Sequence, residues 1–435
     1  MLRRGVIGIV LAFASATARA DDPPGTGAPV TDAPAPAPAA PVSAPAPAPA
    51  RPHHRRFELG FVPFIGGNSD VGLGVGQLSS LTRVGDAPGP NSYRWRLDTG
   101  TSIAFKHRAS GLVVPIQDYY LKLTIPRLRA YPRLRLEFRV AYTDESAVHF
   151  RGFGNASPEP DHSRPREDYE FRRQHPNAIA EARYRVRGPW YLALGDVLAL
   201  NRLDVRPTTV LSDRRTNGSP IERALLAEGF GTHLVELVDL SAQYDTRDRE
   251  ISTRTGQWHS AKVRLSPHLG RALPYGYGRL TLIARGYLNP TPRLSLSARL
   301  VGDALFGSPP FYELARVEEY AAIGGGNAIR GVPAQHFYGK AKLFGNVEAR
   351  TEVLRFCIHG KPMALAVALF VDAGRTWTEL TTAHPELDGT GLGLHYGLGG
   401  GLRWRQGSSF VVRADVAWSP DAHPIGAYFT AGEIF

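Results

Sequence analysis

The chain has 435 residues, a formal net charge of +11 and a single cysteine; 43% of its residues are hydrophobic and 21% charged. No run of about 18 apolar residues follows the first twenty, which excludes a helical membrane anchor but not a transmembrane β-barrel, where only alternate residues meet lipid. The lone Cys357 excludes an internal disulfide, and an arginine-rich balance behind an export signal argues for a polar, arginine-lined interior and against nucleic acid as a partner.

The chain begins with a positive segment, Met1-Leu2-Arg3-Arg4, then a short apolar run from Gly5 to Ala16, then Ala18-Arg19-Ala20. That is the pattern of a cleaved export signal over 1–20, with Asp21 opening the mature chain. Residues 21–56 read as a Pro/Ala-rich disordered linker, because proline at nearly every second position forbids a packed element and favours extended polyproline II. A spacer and an idle tail both fit it. His53-His54 has no further ligands at useful spacing, so neither a metal nor a cofactor is expected.

From Phe57 the pattern changes to alternation. Leu134, Leu136, Phe138, Val140 and Tyr142 share one face, and Arg133, Arg135, Glu137 and Arg139 the other. Leu294, Leu296, Ala298 and Leu300 oppose Arg293, Ser295, Ser297 and Arg299 in the same way. Period 2 gives a strand one apolar and one polar face. Sixteen such runs are expected, at 57–65, 71–84, 92–106, 112–126, 133–145, 169–185, 189–201, 231–246, 256–268, 276–288, 293–303, 340–354, 362–375, 391–405, 408–418 and 426–435. The long connections, 146–168, 202–230, 304–339 and 376–390, all follow odd-numbered strands. Outer-membrane barrels sort their loops in this way, long outside and short in the periplasm. The expected fold is all-β, a sixteen-stranded antiparallel transmembrane barrel over 57–435. Its last strand is expected to run to Phe435, which serves as a C-terminal barrel signal. The tryptophans read as girdle or packing residues.

The connection 304–339 carries Gly324-Gly325-Gly326-Asn327-Ala328-Ile329-Arg330-Gly331. It has no G-K-[ST] ending, so it is not a P-loop. The run 340–352 alternates strictly and points Lys342, Phe344, Asn346, Glu348 and Arg350 into the barrel. The next run does the same with Phe370 and Asp372. Arg330, on the preceding loop, is a candidate to reach both Glu348 and Asp372, since a guanidinium binds two carboxylates through directed hydrogen bonds. The loop is expected to fold inward ahead of the twelfth strand. A structural ion cluster and a gating element remain alternatives for the trio.

Three segments in order carry a resemblance: Gly324 to Gly331, then Phe344-Gly345-Asn346-Val347-Glu348-Ala349-Arg350, then Phe370-Val371-Asp372-Ala373-Gly374. With Tyr244-Asp245-Thr246-Arg247-Asp248, Gly152-Phe153-Gly154-Asn155 and the terminal Phe435, they are similar to the bacterial surface antigen superfamily of barrel-assembly and two-partner-secretion transporters. The resemblance implies a sixteen-stranded outer-membrane barrel. It implies an arginine (Arg330, followed by Gly331) paired inside the lumen with Glu348 and Asp372. It also implies structural roles for Gly324, Gly325, Gly345 and Gly374, and a weak seam between the first and last strands. Members that insert or secrete proteins carry periplasmic POTRA domains, and the 21–56 tract leaves no room for one.

The expected role is assembly or translocation of outer-membrane protein or lipid, through the barrel or its seam. The expected partners are the outer-membrane bilayer and unfolded outer-membrane or secreted proteins. The alternative is a passive pore or structural barrel. No enzyme is expected, since neither G-x-S-x-G nor H-E-x-x-H occurs.

Overall fold

The computed structural model describes residues 57–68, 71–84, 93–108, 111–161, 163–249, 252–317, 320–321, 323, 325–358, 361–406, 410–421, 425–431 and 434–435. The export segment 1–20, the Pro/Ala tract 21–56 and Gly324 lie outside the described residues. The alternating runs form sixteen antiparallel strands closed into a barrel, each paired with its neighbours in the chain. They are β1 (Phe57–Asn68), β2 (Gly72–Val84), β3 (Tyr93–Arg108), β4 (Gly111–Ile125), β5 (Leu134–His149), β6 (Glu170–Gln174 and Asn177–Arg187), β7 (Trp190–Asp204), β8 (Gly231–Asp245), β9 (Gly256–Ser266), β10 (Tyr277–Leu288), β11 (Leu294–Gly307), β12 (Ala341–Ile358), β13 (Lys361–Trp377), β14 (His395–Gln406), β15 (Phe410–Trp418) and β16 (Gly426–Ala431).

β6 differs from the continuous run expected at 169–185. Its two pieces pair with the same neighbours, β5 and β7, but break at His175-Pro176. Proline has no N–H to give to a ladder. The Pro176 carbonyl still accepts from the Leu200 N–H.

Alternation sets which way each side chain points. Phe138, Val140 and Tyr142 of β5, Leu192, Leu194, Leu198 and Leu200 of β7, and Val367, Leu369 and Val371 of β13 are all exposed on the outer wall. An apolar exterior of this extent fits hydrocarbon and not water. Trp190, Trp404 and Trp418 are exposed close to strand ends, where aromatic girdles lie. Trp258 is placed differently: it shares the inward face of β9 with Ser260 and Arg264, and the Arg285 guanidinium lies 4.7 Å from its ring centroid.

The long connections cover one end of the barrel. The β7–β8 connection forms two short helices, α1 (Val210–Asn217) and α2 (Pro220–Leu225). Ser219 caps α2 in a reciprocal box with Glu222. Beneath them Phe150, Phe153, Phe171, Phe311, Tyr312 and Tyr338 form one buried apolar cluster. The cluster packs the β5–β6, β7–β8 and β11–β12 connections against one another.

Closure of the barrel is uneven. β1 pairs with β2 along its whole length, from Phe57–Arg83 to Asn68–Gly72. Against β16 it has two residue pairs among the described residues, Gly67 with Phe429 and Asn68 with Tyr428. The terminal strand spans Gly426–Ala431, and Ile434 and Phe435 lie outside it, although the alternation extended the strand to residue 435. Ile434 and Phe435 turn into the lumen, where they pack on Tyr287. The Ile434 carbonyl accepts from Arg299 at 2.8 Å, and Arg350 lies 5.3 Å from the Phe435 ring centroid.

Candidate functional site

The β11–β12 connection enters the lumen between its turn at Phe311–Ala315 and the start of β12. Ile323, Ala328, Ile329, Val332 and Phe337 are buried against Val301 and Phe344 on the inner wall. The loop closes on itself through Gly325, whose N–H donates to the Val332 carbonyl at 2.8 Å and whose φ is +82°. Gly331, at φ +95°, turns the chain directly after Arg330 and donates to the Tyr428 hydroxyl at 2.9 Å. Both conformations favour glycine because a Cβ clashes there.

Arg330 is fully buried. Its Nε and Nη2 donate to the two Asp372 carboxylate oxygens at 2.7 and 2.9 Å, and its backbone N–H reaches Asp372 at 3.0 Å. Its Nη1 donates to Glu348 at 2.7 Å and to Asp415 at 3.3 Å. The guanidinium stacks on Phe370, 3.3 Å from the ring centroid. Parity explains the acids: Glu348 on β12 and Asp372 on β13 sit on inward faces that the alternation already assigned.

The cluster extends further than those three residues. Arg403 on β14 bridges Glu348 at 2.8 Å and Asp415 at 2.5 Å. Arg350 lies 2.5 Å from Glu348, and Arg413 lies 3.6 Å from Asp415. Four guanidiniums therefore interleave with three carboxylates. Sequence reading missed Arg403, Arg413 and Asp415. Their inward parity on β14 and β15 was readable, but the barrel must close before those strands face β12.

The loop backbone is clamped as tightly as its arginine. Arg413 donates to the Gly326 carbonyl at 2.8 Å, Arg299 to the Asn327 carbonyl at 2.6 Å and Asn346 to the Ala328 carbonyl at 2.7 Å. Gly397 on β14 makes room: a Cβ there would sit 1.7 Å from the Arg330 carbonyl oxygen. At Gly374 a Cβ would meet Phe344 at 2.5 Å, while Gly345 has a milder approach, 3.2 Å from the Arg299 carbonyl. Phe435 lies outside this cluster but shares Arg350 with it.

Every carboxylate in this cluster is engaged by at least one guanidinium. Among the described residues no group of three His, Cys, Asp or Glu could hold a metal ion.

Comparison with solved structures shows the fold. BamA from Haemophilus ducreyi lacking POTRA domains 1–3 is 13% identical, with a TM-score of 0.55 over 87% of this chain and 70% of that one. CdiB from Escherichia coli is 13% identical, with a TM-score of 0.50 over 87% of this chain and 63% of that one. No curated protein matches the sequence. Residues 117–435 match the Omp85 superfamily domain, and the chain belongs to that superfamily of outer-membrane barrels.

Proposed function

We propose that this protein is an outer-membrane assembly or translocation factor. In this reading the seam between β1 and β16 is the working opening, and the 323–340 loop is a plug beside it. One observation carries the reading. β1 keeps its full ladder with β2, yet its other edge meets β16 at Gly67 and Asn68 alone among the described residues. Leu59, Phe61 and Ile65 on that strand are exposed to the lipid side. An unpaired strand edge in hydrocarbon leaves backbone groups unsatisfied at several kcal/mol each. An incoming strand satisfies them by adding to the edge. Membership of the Omp85 superfamily supports the same role. The clients that fit are unfolded outer-membrane or secreted polypeptides.

The plug and the seam touch. Tyr428 of β16 accepts from Gly331, the residue after Arg330, so the Arg330–Glu348–Asp372 lock stands next to the closing strand. In this reading the lock keeps the loop inside while the seam exchanges partners.

A photo-crosslinking residue at Leu59 or Phe61 tests the proposal in cells. Crosslinks to nascent outer-membrane proteins are expected there and not from Leu282, which is exposed on β10 away from the seam. Depletion should lower the level of folded outer-membrane proteins. An unchanged outer-membrane protein profile with no client crosslinks would overturn the reading, as would steady conductance of the wild-type barrel in a planar bilayer.

A further inference from the structure

The turns that join β4 to β5 and β6 to β7 lie side by side at the end of the barrel opposite the long connections. The Arg185 N–H donates to the Arg133 carbonyl at 2.9 Å, and the Arg133 guanidinium donates to the Val186 carbonyl at 3.4 Å. The first turn is also bonded within itself: the Tyr131 N–H donates to the Leu128 carbonyl at 3.1 Å, and the Leu134 N–H to the Tyr131 carbonyl at 2.9 Å. The second is closed by the Arg185 side chain, which donates to the Gly188 carbonyl at 2.9 Å. The pair forms one preformed rim.

That rim is basic. It carries Arg127, Arg129, Arg133, Arg185 and Arg187, all exposed, and neither 126–133 nor 185–190 contains an Asp or Glu. Among the described residues Arg127, Arg129 and Arg187 meet no carboxylate, while Arg133 and Arg185 donate to turn carbonyls. Acids on the adjoining strand ends have cations of their own. Glu137 of β5 lies 2.5 Å from Lys122 and 2.6 Å from Arg135, and Asp245 of β8 lies 2.9 Å from Arg247.

The rim also borders the lipid-facing wall. Tyr184, Val186, Trp190 and Leu192 are exposed beside it on β6 and β7, and Tyr131 is exposed in the first turn. The β6–β7 register sets Tyr184 against Leu192 and Arg187 against Trp190, so Arg187 stands where the apolar wall ends. Tyr and Trp rings sit at headgroup depth in a bilayer, and guanidiniums beside them lie at the level of the lipid phosphates.

We propose that this rim binds the headgroups of anionic phospholipids in the leaflet at the short-turn end. A phosphodiester offers paired oxygens to a guanidinium fork, and its acyl chains continue along the wall that Tyr184 and Leu192 present. An acidic protein surface would match the charge but not the aromatic and aliphatic border, so continuity with the lipid-facing wall favours the lipid. The inference goes beyond the seam reading, since β4 to β7 lie away from β1 and β16, and it is tested by binding alone.

The test is an equilibrium fluorescence titration of the full-length folded protein in a non-ionic detergent. The probes are fluorescently labelled phosphatidylglycerol, phosphatidylcholine and poly-L-glutamate. Phosphatidylglycerol is expected to bind more tightly than phosphatidylcholine, with a preference that shrinks as salt rises from about 0.05 M to about 0.5 M. An arginine beside an anionic headgroup layer contributes about a fivefold factor, so Arg129→Gln should weaken phosphatidylglycerol about fivefold and a variant with Arg127, Arg129 and Arg187 all changed to Gln at least about tenfold. Arg223→Gln, exposed on α2 at the other end, should bind as the wild type does. Arg129 lies within an exposed turn, so its single variant keeps the test open if the triple variant folds poorly. Equal binding of the two lipids, folded rim variants that keep wild-type affinity, or an equal loss in Arg223→Gln would overturn the proposal. Tighter binding of poly-L-glutamate than of phosphatidylglycerol, lost in the rim variants, would also overturn it by assigning the rim to an acidic protein.

Discussion

At the scale of the residue, Arg330 concentrates the most energy. Removing it leaves Glu348, Asp372 and Asp415 buried without their shared bridge. Breaking a buried ion pair from one side costs about 3–5 kcal/mol, and Arg330→Ala is expected to lose stability on that order. Lower temperatures for the heat-modifiable gel shift and new protease cleavage within 323–340 would show it. Gly397→Ala should release the same loop with every charge intact, because its Cβ would lie 1.7 Å from the Arg330 carbonyl oxygen. Gly286→Ala is the matched control, since a Cβ there meets nothing within 4 Å. Equal protease resistance of the two glycine variants would remove Gly397 from the lock. His336 gives a pH dependence. Burial first, then the Arg151 guanidinium, pushes its pKa well below the ordinary imidazole value. The unfolded chain takes up a proton near about pH 6.5, and the folded chain does so only at lower pH. The contribution of His336 is therefore present above about pH 6.5 and lost as pH falls below it. Loop 323–340 should become more protease-sensitive between about pH 8 and about pH 5, and His336→Gln should flatten that change.

At the scale of the element, strands differ in how firmly they are held. β12 and β13 pair from Ala341–Trp377 to Ile358–Lys361 with one bulge at Glu352/Leu354. Among the described residues β16 is short, and it pairs with β1 at two positions. Amide exchange is governed by local opening. It should therefore be fastest in β1 and β16 and slowest in the centre of β12 and β13. Uniform protection around the barrel would mean that the seam is as firm as any other junction. Strand existence and parity were legible from alternation alone, because a lipid-facing and a lumenal face demand different residues at every second position. The break in β6 at Pro176 and the departure of Ile434 and Phe435 from a strand were not. Each depends on what the neighbouring strand offers, not on the local pattern.

At the scale of the whole molecule, the β11–β12 connection packs at both ends: Phe311, Tyr312 and Tyr338 join the cluster of Phe150 and Phe153, while Ile323, Ile329 and Val332 join that of Val301 and Phe344. Wild-type protein in a planar bilayer is expected to be silent, and Arg330→Ala to show open bursts as the loop leaves. Steady wild-type current would argue that the loop does not occlude the lumen. The trio Arg330, Glu348 and Asp372 was readable from parity and motif, but the fuller cluster was not. Arg403, Arg413 and Asp415 lie on strands that meet β12 across the lumen only once the sheet has closed.

The sequence by itself determined the strand count, the inward and outward faces and the loop that carries Arg330, because period-2 patterning and glycine placement are local properties. Tertiary structure decided what those faces meet. Among the described residues it limited the β1–β16 contact to two pairs, turned Ile434 and Phe435 inward onto Tyr287 and Arg350, and gathered four guanidiniums around three carboxylates. The physical reason is closure: residues far apart along the chain become neighbours only when the first and last strands meet.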